Sequence, residues 1–152
     1  MKEVYFETVM LVERLHRLFL EVVKSELDKM ALHDINNVQC FILYNIGENN
    51  LTVGEVSNRG YYLGSNVTYN LKKMVENGYI IQEQSPHDRR SSHVKLSEKG
   101  LKLFEQLDLM FKNHAKNMRH NGVMEQDIKT LKSLLQRLEA FWSFTATYDG
   151  RL

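Results

Sequence analysis

Apolar residues recur at helical spacing through most of the chain and alternate, strand-like, only near its middle. From residue 4 to about 31 there is neither Gly nor Pro, and Tyr5, Val9, Val12, Phe19, Val23, Leu27 and Met30 fall near one stripe. Leu11, Leu15, Leu18 and Val22 form a second stripe beside it, so this predicted helix needs cover over much of its circumference. Asp34 is the expected N-cap of a second helix with Val38, Phe41, Ile42 and Ile46 on its apolar side. Gly47-Glu48-Asn49-Asn50 is the turn that follows.

The centre of the chain, Thr52 to Leu96, is more sharply punctuated. Thr52 and Glu55 form a Thr-x-x-Glu capping box, in which each side chain satisfies an amide that the first helical turn leaves without a partner. Val53 and Val56 give that short helix an apolar side, and Gly60 and Gly64 bracket a turn of about five residues. Ser65 is the expected N-cap of the next helix, with Val67, Leu71, Met74 and Val75 at helical spacing and Asn77-Gly78 closing it. Removing the apolar stripe leaves Asn66, Thr68, Tyr69, Asn70, Lys72 and Lys73 facing outward. Tyr79 to Gln84 then reads as a strand and His93 to Leu96 as a second, joined by the loop Ser85 to Ser92 that carries Arg89 and Arg90. Helix, turn, helix and hairpin in this order predict a winged helix-turn-helix.

Past the hairpin, Ser97 is positioned to cap a long helix with apolar Leu101, Phe104, Leu107, Phe111 and Met118, flanked by Leu103 and Met110. His120-Asn121-Gly122 breaks it. A last helix begins near Met124 and carries Ile128, Leu131, Leu134, Leu135, Leu138, Phe141 and Trp142; the tail from Thr145 has little to bury and is expected to fray. The predicted class is therefore mainly α with a small β-hairpin wing. One domain is expected over 1–152, with a winged-helix DNA-binding lobe at 34–97 and dimerisation helices at 4–31 and 98–144. The terminal helices exceed what that lobe needs to complete its core. A homodimer is the economical use of the surplus, and it would carry two recognition helices toward two half-sites about one helical turn apart.

Composition adds bounds. With 152 residues, 43% of them hydrophobic, the chain has enough material for a core, and no apolar run approaches the roughly 20 residues that span a bilayer. The acidic residues in MKEVYFETVM do not suit a signal peptide, and a single cysteine makes no internal disulfide, so a cytoplasmic location is expected. The net charge is only +1, so any affinity for DNA must come from local placement. Between Arg59 and Lys73 there are three Lys or Arg and no acid. Amides, hydroxyls and cations on one helix face suit base edges and phosphates. An arginine at a hairpin tip suits the negative potential of a narrow minor groove.

No phosphate loop, nucleophile elbow, zinc-protease signature or paired-cysteine motif is present, so an enzyme is not expected, and neither is a cofactor or metal. The six histidines are scattered, and His114 and His120 lie too far around a helix to share one ion. Cys40 sits beside Phe41 and Ile42 with no cation within four residues, which suits a structural thiol rather than a reactive one.

Residues VTYNLKKMVENGYI and HDRRSSHVKLSEKGLKLF resemble the MarR (multiple antibiotic resistance regulator) family of bacterial winged-helix transcription factors. The carriers are an Asp-x-Arg wing, Asp88 and Arg90, then Val94, Leu96, Ser97 and Gly100 in a strand and helix start. That resemblance implies that Arg90 enters the minor groove with Asp88 orienting it, and that the helix from Ser65 reads the major groove. Asp88, Arg89 and Arg90 join the outward helix residues as candidate DNA contacts. Many members have Arg directly after the recognition helix's Thr; here that position is Tyr69, so base preference does not transfer. Tyr61 to Asn66 further resembles an alphaproteobacterial subgroup typified by the regulator LdtR. The family also implies an effector pocket for small lipophilic anions, for which Cys40, Tyr44, Tyr61, Tyr62, Phe104 and Phe111 are candidates, although aromatic residues at helical spacing are more often core. A protein-interaction module that reuses the winged helix without reading DNA, with Tyr61 and Tyr62 as contacts, stays open beside the DNA-binding reading. The operator, the effector and the direction of regulation are not legible.

Overall fold

The computed structural model describes residues 1–60, 64–88 and 91–148, the side chains of residues 64 and 65 excepted. Six helices and three short strands follow in the order α1 (Lys2–Lys29), α2 (Asn37–Ile46), β1 (Leu51–Thr52), α3 (Val53–Gly60), α4 (Gly64–Glu76), β2 (Ile80–Gln84), β3 (Ser92–Leu96), α5 (Glu98–His120) and α6 (Glu125–Thr147) among the described residues. The fold is a winged helix-turn-helix flanked by long terminal helices. Two compact units, Met1–Leu107 and Asp108–Leu152, divide the chain inside α5.

The first unit is organised around a small antiparallel sheet of order β1-β3-β2. Ile80 pairs with Leu96 and Gln84 with Ser92, while β1 pairs Leu51 with Val94 on the other side of β3. The third strand was not expected from the sequence. Two residues are too few for alternation to register, and Thr52 had been read only as a cap. It serves as both: its hydroxyl accepts from Glu55 N at 3.1 Å and its own N–H donates to the Glu55 carboxylate at 3.3 Å. Behind the sheet, Ile42, Leu43, Ile46, Val56, Val67 and Val94 have no exposed surface, and Leu71, Met74 and Tyr79 close around them. Val23 and Leu27 bring the C-terminal end of α1 into the same core.

Three expected details are corrected. Asp34 does not cap α2. Asn36 does, its side chain accepting from Gln39 N while Gln39 accepts from Asn36 N, at 2.9 and 3.1 Å. Asp34 instead accepts from the Tyr79 hydroxyl and from Lys99 Nζ, the latter at 2.8 Å, and Lys99 also donates to Asn77 O at 2.8 Å. The stripe of α5 that meets the core is rotated from the expected one. Within the first unit Leu103 and Leu107 are buried, while Leu101 is 37% exposed. Finally, α6 extends through Thr147, past the Thr145 at which the tail was expected to begin.

Chain reversals explain how the helices end. Gly78, at φ +79°, follows α4 in a Schellman pattern: its N–H reaches Val75 O and Tyr79 N reaches Met74 O. The same pattern closes α1, but there Ala31 occupies the left-handed position at φ +55°, where an L side chain is strained. Ser97 joins the wing to α5. Its hydroxyl accepts from Gly100 N at 3.1 Å and donates to Gly78 O, and its backbone N–H donates to Tyr79 O at 3.0 Å. A Cβ on Gly100 would lie 2.1 Å from that same Tyr79 carbonyl oxygen, so glycine is what allows α5 to start so close to the sheet.

The second unit is the α-hairpin of the rest of α5 and α6. Gly122, at φ +84°, turns the chain, and the Asp127 carboxylate accepts from Met124 N at 2.8 Å to start α6. No residue of α6 is buried: Leu131 is 49% exposed, Leu134 52% and Phe141 56%. In the first unit, α1 likewise leaves Val4, Phe6, Leu11 and Leu15 exposed.

Candidate nucleic-acid interface

The expected reading face lies on α4. Val67, Leu71 and Met74 anchor the helix in the core, and Asn66, Thr68, Tyr69 and Lys72 are exposed on its other side. Lys73 is half-buried, 3.3 Å from the Glu76 carboxylate and 6.0 Å from the centre of the Tyr69 ring. Its charge is therefore shared with a local acid just beyond the acid-free run. Tyr69 is 61% exposed, a large aromatic surface in the middle of a polar face. Val75, expected in the core stripe, is 38% exposed. Helix α4 starts at Gly64, so Ser65 lies in its first turn rather than at its N-cap.

Asn70 is the clear departure. It was expected to face outward, yet it is 9% exposed, with its carboxamide turned into the core. Gln39 Nε2 donates to its Oδ1 at 3.2 Å, and its own Nδ2 donates to Asn66 O at 2.8 Å. Helical geometry contained the signal: Asn70 is three residues after Val67 and four before Met74, so it belongs to the buried stripe. Gln39, which the sequence reading missed, is recognisable in retrospect as the last residue of an Asn-x-x-Gln capping box.

The wing is β2, β3 and the loop between them. Ser85 N donates to Ser91 O at 2.9 Å and Ser91 N to Asp88 O at 3.2 Å, which ties the two sides of the loop together. Asp88 is exposed; Arg89 and Arg90 lie outside the described residues. Lys95 on β3 is 3.8 Å from Glu83 on the neighbouring strand, so its positive charge is partly compensated within the sheet.

The expected effector residues are only partly brought together. Tyr44 and Phe104 stack with ring centroids 5.1 Å apart. Cys40 is 2% exposed, and burial pushes its thiol up to about 12, which suits the structural role expected of it. Phe111 is half-buried in the segment after Leu107, and Tyr61 and Tyr62 lie outside the described residues, as does Leu63 in the stretch that carried the subgroup resemblance. A groove of about 350 Å³ that the sequence did not suggest runs along Met30, Leu32, Tyr79, Lys99, Lys102 and Leu103.

The same arrangement occurs in proteins of known kind. Residues 33–91 match the MarR family. Over 144 residues the chain is 37% identical to the exopolysaccharide II synthesis transcriptional activator ExpG of Rhizobium meliloti (strain 1021), covering 95% of this chain and 74% of that protein. The chain belongs to the MarR family. Among solved structures, Streptococcus pneumoniae FabT in complex with DNA aligns over 90% of this chain and 97% of its own, with TM-score 0.64 and 25% identity. The transcriptional regulator SlyA matches the MarR fold of this chain with TM-score 0.75 over 90% of it and 94% of SlyA, at 15% identity. As a MarR-family member the chain is a transcriptional regulator with a DNA-binding fold, not an enzyme. Among the described residues no helix is long and apolar enough to cross a membrane.

Proposed function

We propose that this MarR-family regulator acts as a homodimer on a pseudo-palindromic operator, with α4 (Gly64–Glu76, expected over about 65–77) in the major groove and the loop of the wing (residues 85–92) in the minor groove. The observation that carries the reading is the polar, acid-free outer face of Asn66, Thr68, Tyr69 and Lys72 on a helix whose other side is anchored in the core. Lys72 and Lys73 meet phosphates, while Asn66, Thr68 and Tyr69 meet base edges. Arg90, oriented by Asp88, reads groove width, and Arg89 adds a phosphate contact. Support comes from FabT, which is similar over nearly all of both chains and whose structure is of a complex with DNA. The interaction-module alternative has no such support.

Residues 4–31 and 98–144 supply the dimer, because Val4, Phe6, Leu11 and Leu15 in α1 and Leu131, Leu134 and Phe141 in α6 are left open within one chain. A small lipophilic anion controls the regulator, with the stacked Tyr44 and Phe104 as its candidate contacts in the first unit. The regulator works in the cytoplasm, at the nucleoid when bound. The relative named as a transcriptional activator favours activation at some promoters over repression alone.

The test is binding-site selection at two salt concentrations. Arg90→Ala should weaken binding to most sequences, lower the salt slope by about one and hurt most beside A·T-rich flanks. Asp88→Ala should act in the same direction but less strongly, and Thr68→Ala should change half-site preference by roughly 1–3 kcal/mol per lost base contact. Wild-type affinity and salt slope in Arg90→Ala would remove the wing from the interface. A lipophilic weak acid should raise thermal stability and weaken DNA binding together, since linkage requires it to prefer the DNA-incompetent state.

A further inference from the structure

Gln39 and Asn70 are the buried polar side chains among the described core residues, 6% and 9% exposed, and they touch each other. Their carboxamides form a chain with fixed direction. At one end the backbone N–H of Asn36 can only donate, so Gln39 must present its oxygen there, at 3.1 Å. That turns Gln39 Nε2 toward Asn70, which must answer with Oδ1, at 3.2 Å. Asn70 Nδ2 is then left facing the backbone carbonyl of Asn66, which can only accept, at 2.8 Å. The two backbone groups fix the orientation of both amides, and flipping either would set donor against donor or acceptor against acceptor.

The relay joins two places with different roles. Asn36 is the N-cap that starts α2. Asn66 lies in the first turn of α4, with its side chain on the exposed face. An apolar core contact between α2 and α4 would tolerate small rotations of the helix about its own axis. A directional hydrogen-bond chain does not, because unmaking one link leaves a buried donor or acceptor unpaired.

We propose that Gln39, acting through Asn70, is a positioning residue that sets the rotation of α4 and thereby which bases its outer face reads. This rests on the reading of α4 as the major-groove helix.

Gln39→Glu isolates the effect. An ionised glutamate still accepts from Asn36 N and keeps the capping box but has no donor for Asn70 Oδ1. The readouts are therefore taken at rising pH until the carboxyl is ionised, because a protonated carboxyl would donate there. Gln39→Met, of similar size and unable to donate or accept in the relay, serves as the second variant should a buried carboxylate prevent folding. Binding-site selection and titration on the wild type's best half-site and on scrambled DNA are the readouts, with thermal melts to establish that each variant is folded. The expected result is a loss of discrimination between the two DNAs of about tenfold, the scale of one base-pair mismatch. Low-salt affinity for scrambled DNA should stay within about twofold, since phosphate contacts are untouched. In the Asn70→Leu background, Gln39→Glu should have little further effect on discrimination, because the relay is already broken. A folded Gln39→Glu or Gln39→Met protein with wild-type discrimination overturns the proposal, as do independent, additive effects of Gln39→Glu and Asn70→Leu. Lys72→Ala is the control for the underlying reading: if it leaves affinity for all DNA unchanged, and the wild type itself shows no half-site preference, α4 is not the reading helix and the relay's proposed role falls with it.

Discussion

The lobe around the sheet and the hairpin formed by the end of α5 with α6 are both rich in Leu, Ile and aromatic residues, and they treat them in opposite ways. In the lobe, Ile42, Leu43, Ile46, Val56, Val67 and Val94 lose all their surface. In α6, Ile128, Leu131, Leu134 and Phe141 keep between 38% and 56% of theirs. A helical stripe therefore specifies a face that needs cover without saying which chain provides it. The lobe is covered by its own chain; α6 depends on something else, which under the proposed dimer is the partner subunit.

The largest expected effect tests that contrast directly. Ile42→Ala should cost about 2–5 kcal/mol in a denaturant titration, at every protein concentration, because the cavity lies inside one chain. Leu134→Ala should instead destabilise in a concentration-dependent way, as loss of association does. A cost for Leu134→Ala that ignores protein concentration would mean that α6 is covered within its own chain. Leu135→Glu with Leu131→Glu sharpens the point: under the proposed dimer, sedimentation at micromolar concentration should show monomer for the variant and dimer for the wild type.

Gly100→Ala comes next. Its Cβ would fall 2.1 Å from Tyr79 O, a backbone atom that cannot swing away, so α5 must shift off the sheet. A loss of roughly 1–3 kcal/mol is expected, the usual range for overpacking. An unchanged denaturation midpoint would show that the start of α5 is not held as tightly as the lobe it abuts.

Tyr79→Phe should cost about 1 kcal/mol at neutral pH, the value of one hydrogen bond. Slight burial tends to raise the Asp34 carboxyl, but Lys99 and the Tyr79 hydroxyl outweigh it and hold the group below its ordinary value. A carboxyl depressed in the folded state contributes stability above its unfolded value and loses it as pH falls through the folded one. The difference between Tyr79→Phe and wild type should therefore shrink as the solution is acidified past the ordinary carboxylate range. A pH-independent difference would point to packing of the ring rather than to the Asp34 bond.

The smallest expected effect is a gain. Ala31→Gly relieves a left-handed residue at the end of α1 and should add up to about 1 kcal/mol, offset in part by the greater freedom of glycine in the unfolded chain. A lower melting temperature would show that the Ala31 methyl is worth more than the strain.

The features legible in the sequence were those with local causes. The Thr52–Glu55 box, the Gly78 reversal and the Ser97 cap all bind within a few residues, and each was read where it occurs. Asp34 was misassigned because its partners, Tyr79 and Lys99, are 45 and 65 residues away, while a short polar residue ahead of an apolar run looks like a cap. Asn70 was misplaced because residue type was allowed to outvote helical phase: an amide suits DNA, but its position in the stripe put it inside. Leu103 was ranked behind Leu101 because neighbouring stripes on a long helix are nearly equivalent until something packs against one of them.

Strand β2 forms one border of the sheet, and four of its five residues are exposed, Ile81 among them at 41%. An open border of this kind is a template on which a stray strand from another molecule can add, and a newly made subunit awaiting its partner is most at risk. Glu83 near the end of the strand, with Pro86 two residues past it, makes such growth unfavourable: an added copy would stack like charges and then meet a residue without an N–H. The pair it makes with Lys95 is thus of secondary importance, and Glu83 is better understood as a guard on solubility.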